Sequence, residues 1–146
     1  MPFLAVLAFA GAVASDPAVA CDGNTREMEV CFGKRLAKHE ATLATYVSAA
    51  RDRIVREAAE APSGFSSIEN ALGGFDAAQA AWSTFRNAEC GAVYDYWSMG
   101  SIRGLKSLRC RTILTRQRTH TIWTHWLRYE DSSPPILPEP PPATWP

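Results

Sequence analysis

The chain has 146 residues, enough for one domain and too few for two ordinary ones. Hydrophobic residues make up 47% and charged residues 21%, a composition that supplies a core and excludes a chain disordered throughout. Fifteen basic and fifteen acidic side chains cancel, so overall charge points to neither nucleic acid nor an acidic substrate, and no nucleic-acid partner is expected.

The first twenty residues, MPFLAVLAFAGAVASDPAVA, read as a secretory signal peptide: an unbroken apolar and small-residue run from Phe3 to Ala14, followed by small-residue cleavage options. The run is too short to span a bilayer, so no transmembrane segment is expected. Ala18-Val19-Ala20 is the preferred cleavage pattern, and it leaves Cys21 at the mature start. A lipid anchor on Cys21, as in bacterial lipoproteins, is the alternative. It lacks the leucine expected three residues before the cysteine, where Ala18 stands, and it would strand one of the remaining thiols.

Residues 21–130 carry helical patterning. Met28, Phe32, Leu36, Leu43, Tyr46, Val47, Ala50 and Ile54 share one sector of a helical wheel, with Asn24 and Glu27 as N-cap and capping box. Breakers at Ala61-Pro62-Ser63-Gly64 should end this first helix. "SSIENAL" predicts two turns of helix interrupted by Gly73-Gly74. A second long helix is then expected from about Phe75 to Trp97, its face formed by Phe75, Ala78, Trp82, Phe85, Val93 and Tyr96. After a break at Met99-Gly100-Ser101, a third runs from about Arg103 to Tyr129, with Leu105, Leu108, Ile122, Trp123 and Trp126 on its apolar face. No stretch alternates with period two for long enough to build a sheet. The fold class is all-α, a small antiparallel bundle of three long helices.

Residues 131–146 differ in kind. They contain seven of the ten prolines, which predicts an extended, disordered and solvated tail of polyproline II character, with docking into a partner's aromatic groove as the alternative.

The four cysteines allow three pairings. Cys90 and Cys110 are equidistant from Gly100, the centre of the predicted turn, so an antiparallel hairpin brings them to one height on facing helices. Cys21 and Cys31 then form the second bridge. Each closed loop should stabilise the fold by roughly 3 kcal/mol in the chain-entropy model. A zinc or redox centre would want a C-x-x-C spacing, which is missing.

"CDGNTREMEVC" at 21–31, "AQAAWSTFRNAEC" at 78–90 and "MGSIRGLKSLRCRTILTRQRT" at 99–119 resemble the three signature blocks of the LprI-type lysozyme inhibitor N-terminal domain family of bacterial envelope proteins. The resemblance spans roughly residues 21–127, with cysteines and intervening motifs agreeing in order and spacing. It implies a small, helical, disulfide-linked domain exported to the bacterial periplasm or secreted, and lysozyme or another envelope protein as partner. Met99 stands where the family usually has a second glycine before the Gly-Ser turn, and the proline-rich tail lies outside the domain.

Catalytic patterns are lacking. His39 falls inside the apolar sector of the first helix and reads as a core imidazole. His120 and His125 are five apart, a poor spacing for two ligands on one helix face, so neither a metal nor another cofactor is expected. With no G-x-S-x-G, no phosphate loop and four thiols assigned to bridges, the chain does not read as an enzyme.

Charged groups near the aromatic face of the second helix must be paired. Arg86 and Glu89 are placed to pair with each other, and Arg118 to stack on Trp82, so these four residues are read as setting the hairpin register; a direct contact of Arg86 or Glu89 with a partner is the other reading. Trp97, Met99, Ser101 and Arg103 cluster at the tip and are the candidate binding residues, with Tyr94 and Tyr96 just below. Packing of that tip against the 66–72 segment is the competing reading. Seven basic residues and no acid lie between Tyr96 and Tyr129: Arg103, Lys106, Arg109, Arg111, Arg116, Arg118 and Arg128. They spread around the helix, which ranks polyanion binding below a protein partner. Export with lysozyme inhibition by an inserted loop is thus the leading functional reading, and a structural or adaptor module of the envelope the second. Steering toward a basic lysozyme would favour an acidic inhibitor, which this near-neutral chain is not.

Overall fold

The Asn24 side chain accepts hydrogen bonds from the backbone N–H groups of Arg26 and Glu27 at 3.0 and 3.1 Å, and the Glu27 carboxylate accepts the Asn24 N–H at 3.0 Å. This complete capping box starts α1, Thr25–Glu60, in a computed structural model that describes residues 20–62 and 66–143. The expected signal peptide lies, but for Ala20, outside the described residues. α2 spans Ser66–Tyr96 and α3 spans Arg103–Ile122, followed by a π-helical turn, α4, at Trp123–Leu127. No strand is present among the described residues, and the all-α expectation holds.

Two boundaries differ from the sequence reading. α2 is continuous through Gly73-Gly74, where a break was expected. Phe75, only 3% exposed, and the half-buried Ala71 and Leu72 pack into the core on either side of the pair, and burial of that face outweighs the low helix propensity of two glycines. The third helix widens at its end. The Arg128 N–H bonds the Trp123 carbonyl at 3.2 Å, a π-type closure that keeps Leu127 fully buried.

The chain runs up, down and up. Arg86 of α2 meets Glu40 of α1, and Arg53 of α1 reaches the Trp126 carbonyl at the far end of the third helix, so α1 and α3 are parallel and α2 is antiparallel to both. Leu43, Tyr46, Ala50 and Ile54 of α1 form the core with Phe75, Ile122 and Leu127, and Phe75 meets Trp126 edge to face at 5.3 Å. Of the expected apolar face of α1, Leu36, Leu43, Tyr46, Ala50 and Ile54 are buried. On α2 the reading is less accurate: Ala78 and Phe85 are exposed, because α2 touches α1 sparsely and presents only a narrow stripe.

Both bridges form as expected, Cys21 with Cys31 and Cys90 with Cys110, each with Cα atoms 5.6 Å apart. Gly23, at φ 116°, supplies a left-handed residue in the loop that the first bridge closes.

The proline-rich segment differs from the expectation of a free tail. It has no helix or strand over 131–143, in keeping with its prolines, yet it lies against the bundle. Ile136 and Leu137 pack on the core, Pro140 is buried, and Tyr46 Oη donates to the Pro138 carbonyl at 2.6 Å. Two aliphatic side chains next to a groove between α1 and α3 gain more from burial than the segment loses in chain freedom, since prolines have already restricted it.

Candidate functional site

Turns over residues 97–102 join α2 to α3: the Ser98 N–H bonds the Asp95 carbonyl at 3.0 Å, and the Gly100 N–H bonds the Trp97 carbonyl at 2.8 Å. The Cys90–Cys110 bridge lies about two turns below, fully buried at Cys90, and the Ser107 hydroxyl adds a bond to the Cys90 carbonyl at 2.9 Å. The tip is therefore held at its base by a covalent link and a cross-helix hydrogen bond.

Its side chains face solvent. Met99 is 99% exposed, Tyr96 84% and Trp97 37%. Tyr96 and Trp97 meet edge to face at 6.0 Å. Cations stiffen this group: the Arg103 guanidinium sits 4.7 Å from the Tyr94 ring centroid and Lys106 Nζ 4.8 Å from that of Trp97. Arg103 also donates to the Ser98 carbonyl at 3.4 Å, and Ser101 is exposed. All four candidate binding residues thus share one end of the bundle. The 66–72 segment lies at the opposite end, with Ala71 and Leu72 in the core beside Trp126, so the tip does not pack on it.

The N-terminus of α1 stands beside this tip. Gly104 approaches Glu29 so closely that a β-carbon there would overlap the Glu29 carboxylate. Below the tip, a cavity of about 450 Å³ opens between α2 and α3, lined by Val93, Trp97, Cys110, Ile113 and Leu114 with Glu89, Lys106 and Arg109 among its polar groups.

The four residues read as register-setting do not act as a set. Arg86, with its side chain 12% exposed, donates to Glu40 and to the hydroxyl of the fully buried Thr115, both at 2.9 Å, and lies 5.0 Å over Trp82. It therefore ties all three helices. Glu89 is exposed and is not its partner. Arg118 bonds Gln79 at 2.9 Å, and Trp82 takes Arg86 as its cation. The Glu40 and Thr115 contacts, long-range in sequence, carried no local signal.

The basic residues of the third helix are engaged one by one. Arg109 lies 5.9 Å from the Phe32 ring and Arg128 6.0 Å from Trp123, Arg111 bonds Asn87 at 3.2 Å, and Arg116 bonds the Pro142 carbonyl. With the contacts of Arg103, Lys106 and Arg118, every member of the strip has an intramolecular role. His39 is half-buried, and its imidazole is held below its ordinary pKa by burial first and by Arg116 and Arg35 second. Among the described residues no group of three or more His, Cys, Asp or Glu side chains is arranged to hold a metal ion, and no helix is long and apolar enough to cross a membrane.

A family model described as lysozyme inhibitor LprI matches residues 18–122. No curated protein and no solved structure matched the chain.

Proposed function

From the premise that the chain belongs to the LprI lysozyme inhibitor family, we propose that it is an exported binding protein of the bacterial envelope that inhibits lysozyme with the tip of its α2–α3 hairpin. The leader-like residues 1–20 and two disulfides support export, since such bridges persist in oxidising compartments. The observation that carries the tip assignment is the near-complete exposure of Met99 and Tyr96 on a loop whose base is covalently closed. A large apolar side chain left in water on a pre-organised loop gains by burial on binding, and the closed base lowers the backbone entropy lost in ordering it. Met99 and Trp97 supply the apolar anchor. Arg103 and Ser101 supply polar groups suited to the paired carboxylates of a glycosidase cleft.

Clearance of a cell-wall suspension by lysozyme, with and without the oxidised protein, tests the reading. Dose-dependent slowing is expected, with Met99→Asp and Trp97→Ala each weakening it at least tenfold, the cost typical of a central contact residue. Unchanged clearance at a large molar excess would leave the structural or adaptor reading. Undiminished inhibition by both variants would move the contact away from the tip.

A further inference from the structure

The C-terminal segment is held by a set of donors aimed at its carbonyl groups. Trp123 Nε1 donates to the Leu137 carbonyl at 2.9 Å, Tyr46 Oη to the Pro138 carbonyl at 2.6 Å, and the Arg116 guanidinium to the Pro142 carbonyl. The Ile136 N–H bonds the Leu127 carbonyl at 2.8 Å, and Glu139 meets His120 at 3.1 Å. Residues 116, 120, 123 and 127 are spaced three and four apart, one face of a helix, and the segment runs antiparallel to them beside α1. Burial raises the Tyr46 pKa, so its hydroxyl remains a donor throughout the physiological range.

Such an arrangement fits one chemistry. A proline-rich strand in polyproline II form has no internal hydrogen bonds, so its carbonyls are free to accept, and its fixed φ lowers the entropy lost on binding. Aromatic rings that carry an N–H or O–H, spaced along a groove, read such a strand by those carbonyls and by packing on its rings. Trp123 and Leu127 also lie beyond residue 122, where the family match ends, as does the whole segment that they hold.

We propose that the groove formed by Tyr46, Arg116, His120 and Trp123 is a polyproline II receptor, occupied in this chain by its own residues 137–142, and that it accepts a proline-rich peptide of the same pattern, a leucine followed by Pro-x-Pro-Pro-Pro, when its own segment is displaced. The segment is tethered through residues 128–135, so its local concentration is on the order of millimolar and it outcompetes a dilute peptide. The groove is then closed to a free ligand until the tether is released. This proposal is independent of the inhibitor reading, since it uses none of the tip residues.

The test uses the full chain. Leu137→Asp places a charge against the core and should release the segment while leaving every donor of the groove in place. The indole N–H of Trp123, followed by NMR, should then exchange faster with solvent. A synthetic peptide of residues 135–143 should bind the Leu137→Asp chain and restore the indole shift, and should not bind the wild-type chain at sub-millimolar concentration. Adding Tyr46→Phe or Trp123→Phe to the released chain should weaken the peptide by about five- to tenfold each, the effect of one hydrogen bond. Equal binding to wild-type and released chains, no binding to a released chain whose indole has become exchangeable, or indifference to both donor variants would overturn the proposal. So would an indole that stays protected in a Leu137→Asp chain whose segment is seen by NMR to be released, because the segment would then not be what covers Trp123.

Discussion

Arg86 and Glu89 lie within one turn of α2, and their surroundings give them opposite expectations. Replacing Arg86 by Ala removes the donor to Glu40 and to the buried Thr115 hydroxyl, and should cost about 2 to 3 kcal/mol in chemical denaturation. Glu89→Ala, at an exposed position, should stay within about 0.5 kcal/mol of wild type. A comparable loss in both would restore the reading of the two as a mutually dependent pair. His39 sets a pH dependence. Its pKa is lowered in the folded chain, so the unfolded chain binds the proton more readily in the window below the ordinary histidine value. The stabilisation from keeping the imidazole neutral is complete above about pH 6.5 and is lost as pH falls toward the depressed folded value. Thermal midpoints taken between pH 7.5 and 5 should therefore fall less steeply in His39→Gln than in wild type.

At the scale of the element, α2 offers a direct measure of how packing overrides propensity. A β-carbon at Gly73 or Gly74 meets no atom within 4 Å, and both positions lie inside a continuous helix. Gly73→Ala and Gly74→Ala should each raise stability by roughly 0.5 to 1 kcal/mol, read from the denaturation midpoint. A helix interrupted at this point would show no such gain. The hairpin depends on its staple in a different way. Replacing Cys90 and Cys110 together by Ser should cost about 3 kcal/mol, mostly by freeing the unfolded chain. It should also weaken inhibition beyond what the loss of folded protein explains, because the tip would have to be ordered on binding.

For the whole molecule, charge bears on how a partner is approached. Fifteen basic residues balance fifteen acidic ones, and the basic side chains of the third helix each contact a ring, an amide or a carbonyl of the same chain. The zero net charge supplies no steering field toward a basic enzyme, and the cations are spread around the third helix rather than aligned in one stripe for a polyanion. Association with lysozyme should therefore depend weakly on salt, with less than a threefold change in on-rate between roughly 50 and 200 mM, in contrast to the steep fall of electrostatically steered pairs. A strong decrease would mean that the tip cations are released from their rings on contact.

The sequence by itself determined the three-helix pattern and the staples, though not the continuity of α2 through Gly73-Gly74. The sector from Leu36 to Ile54, the Asn24 and Glu27 cap and the symmetry of Cys90 and Cys110 about Gly100 are local or nearly local patterns, and periodicity and short loops carry them directly. The clustering of Trp97, Met99, Ser101 and Arg103 was legible for the same reason, since one turn joins them. Only the tertiary structure decided which partner each long side chain took. Arg86 passed over Glu89 for Glu40 and Thr115, and residues 136–142 settled in the groove beside Tyr46 and Trp123. Both outcomes depend on the placement of α1 against α3, parallel helices far apart in sequence, and on the burial of a few aliphatic groups that no local pattern of prolines or charges encodes.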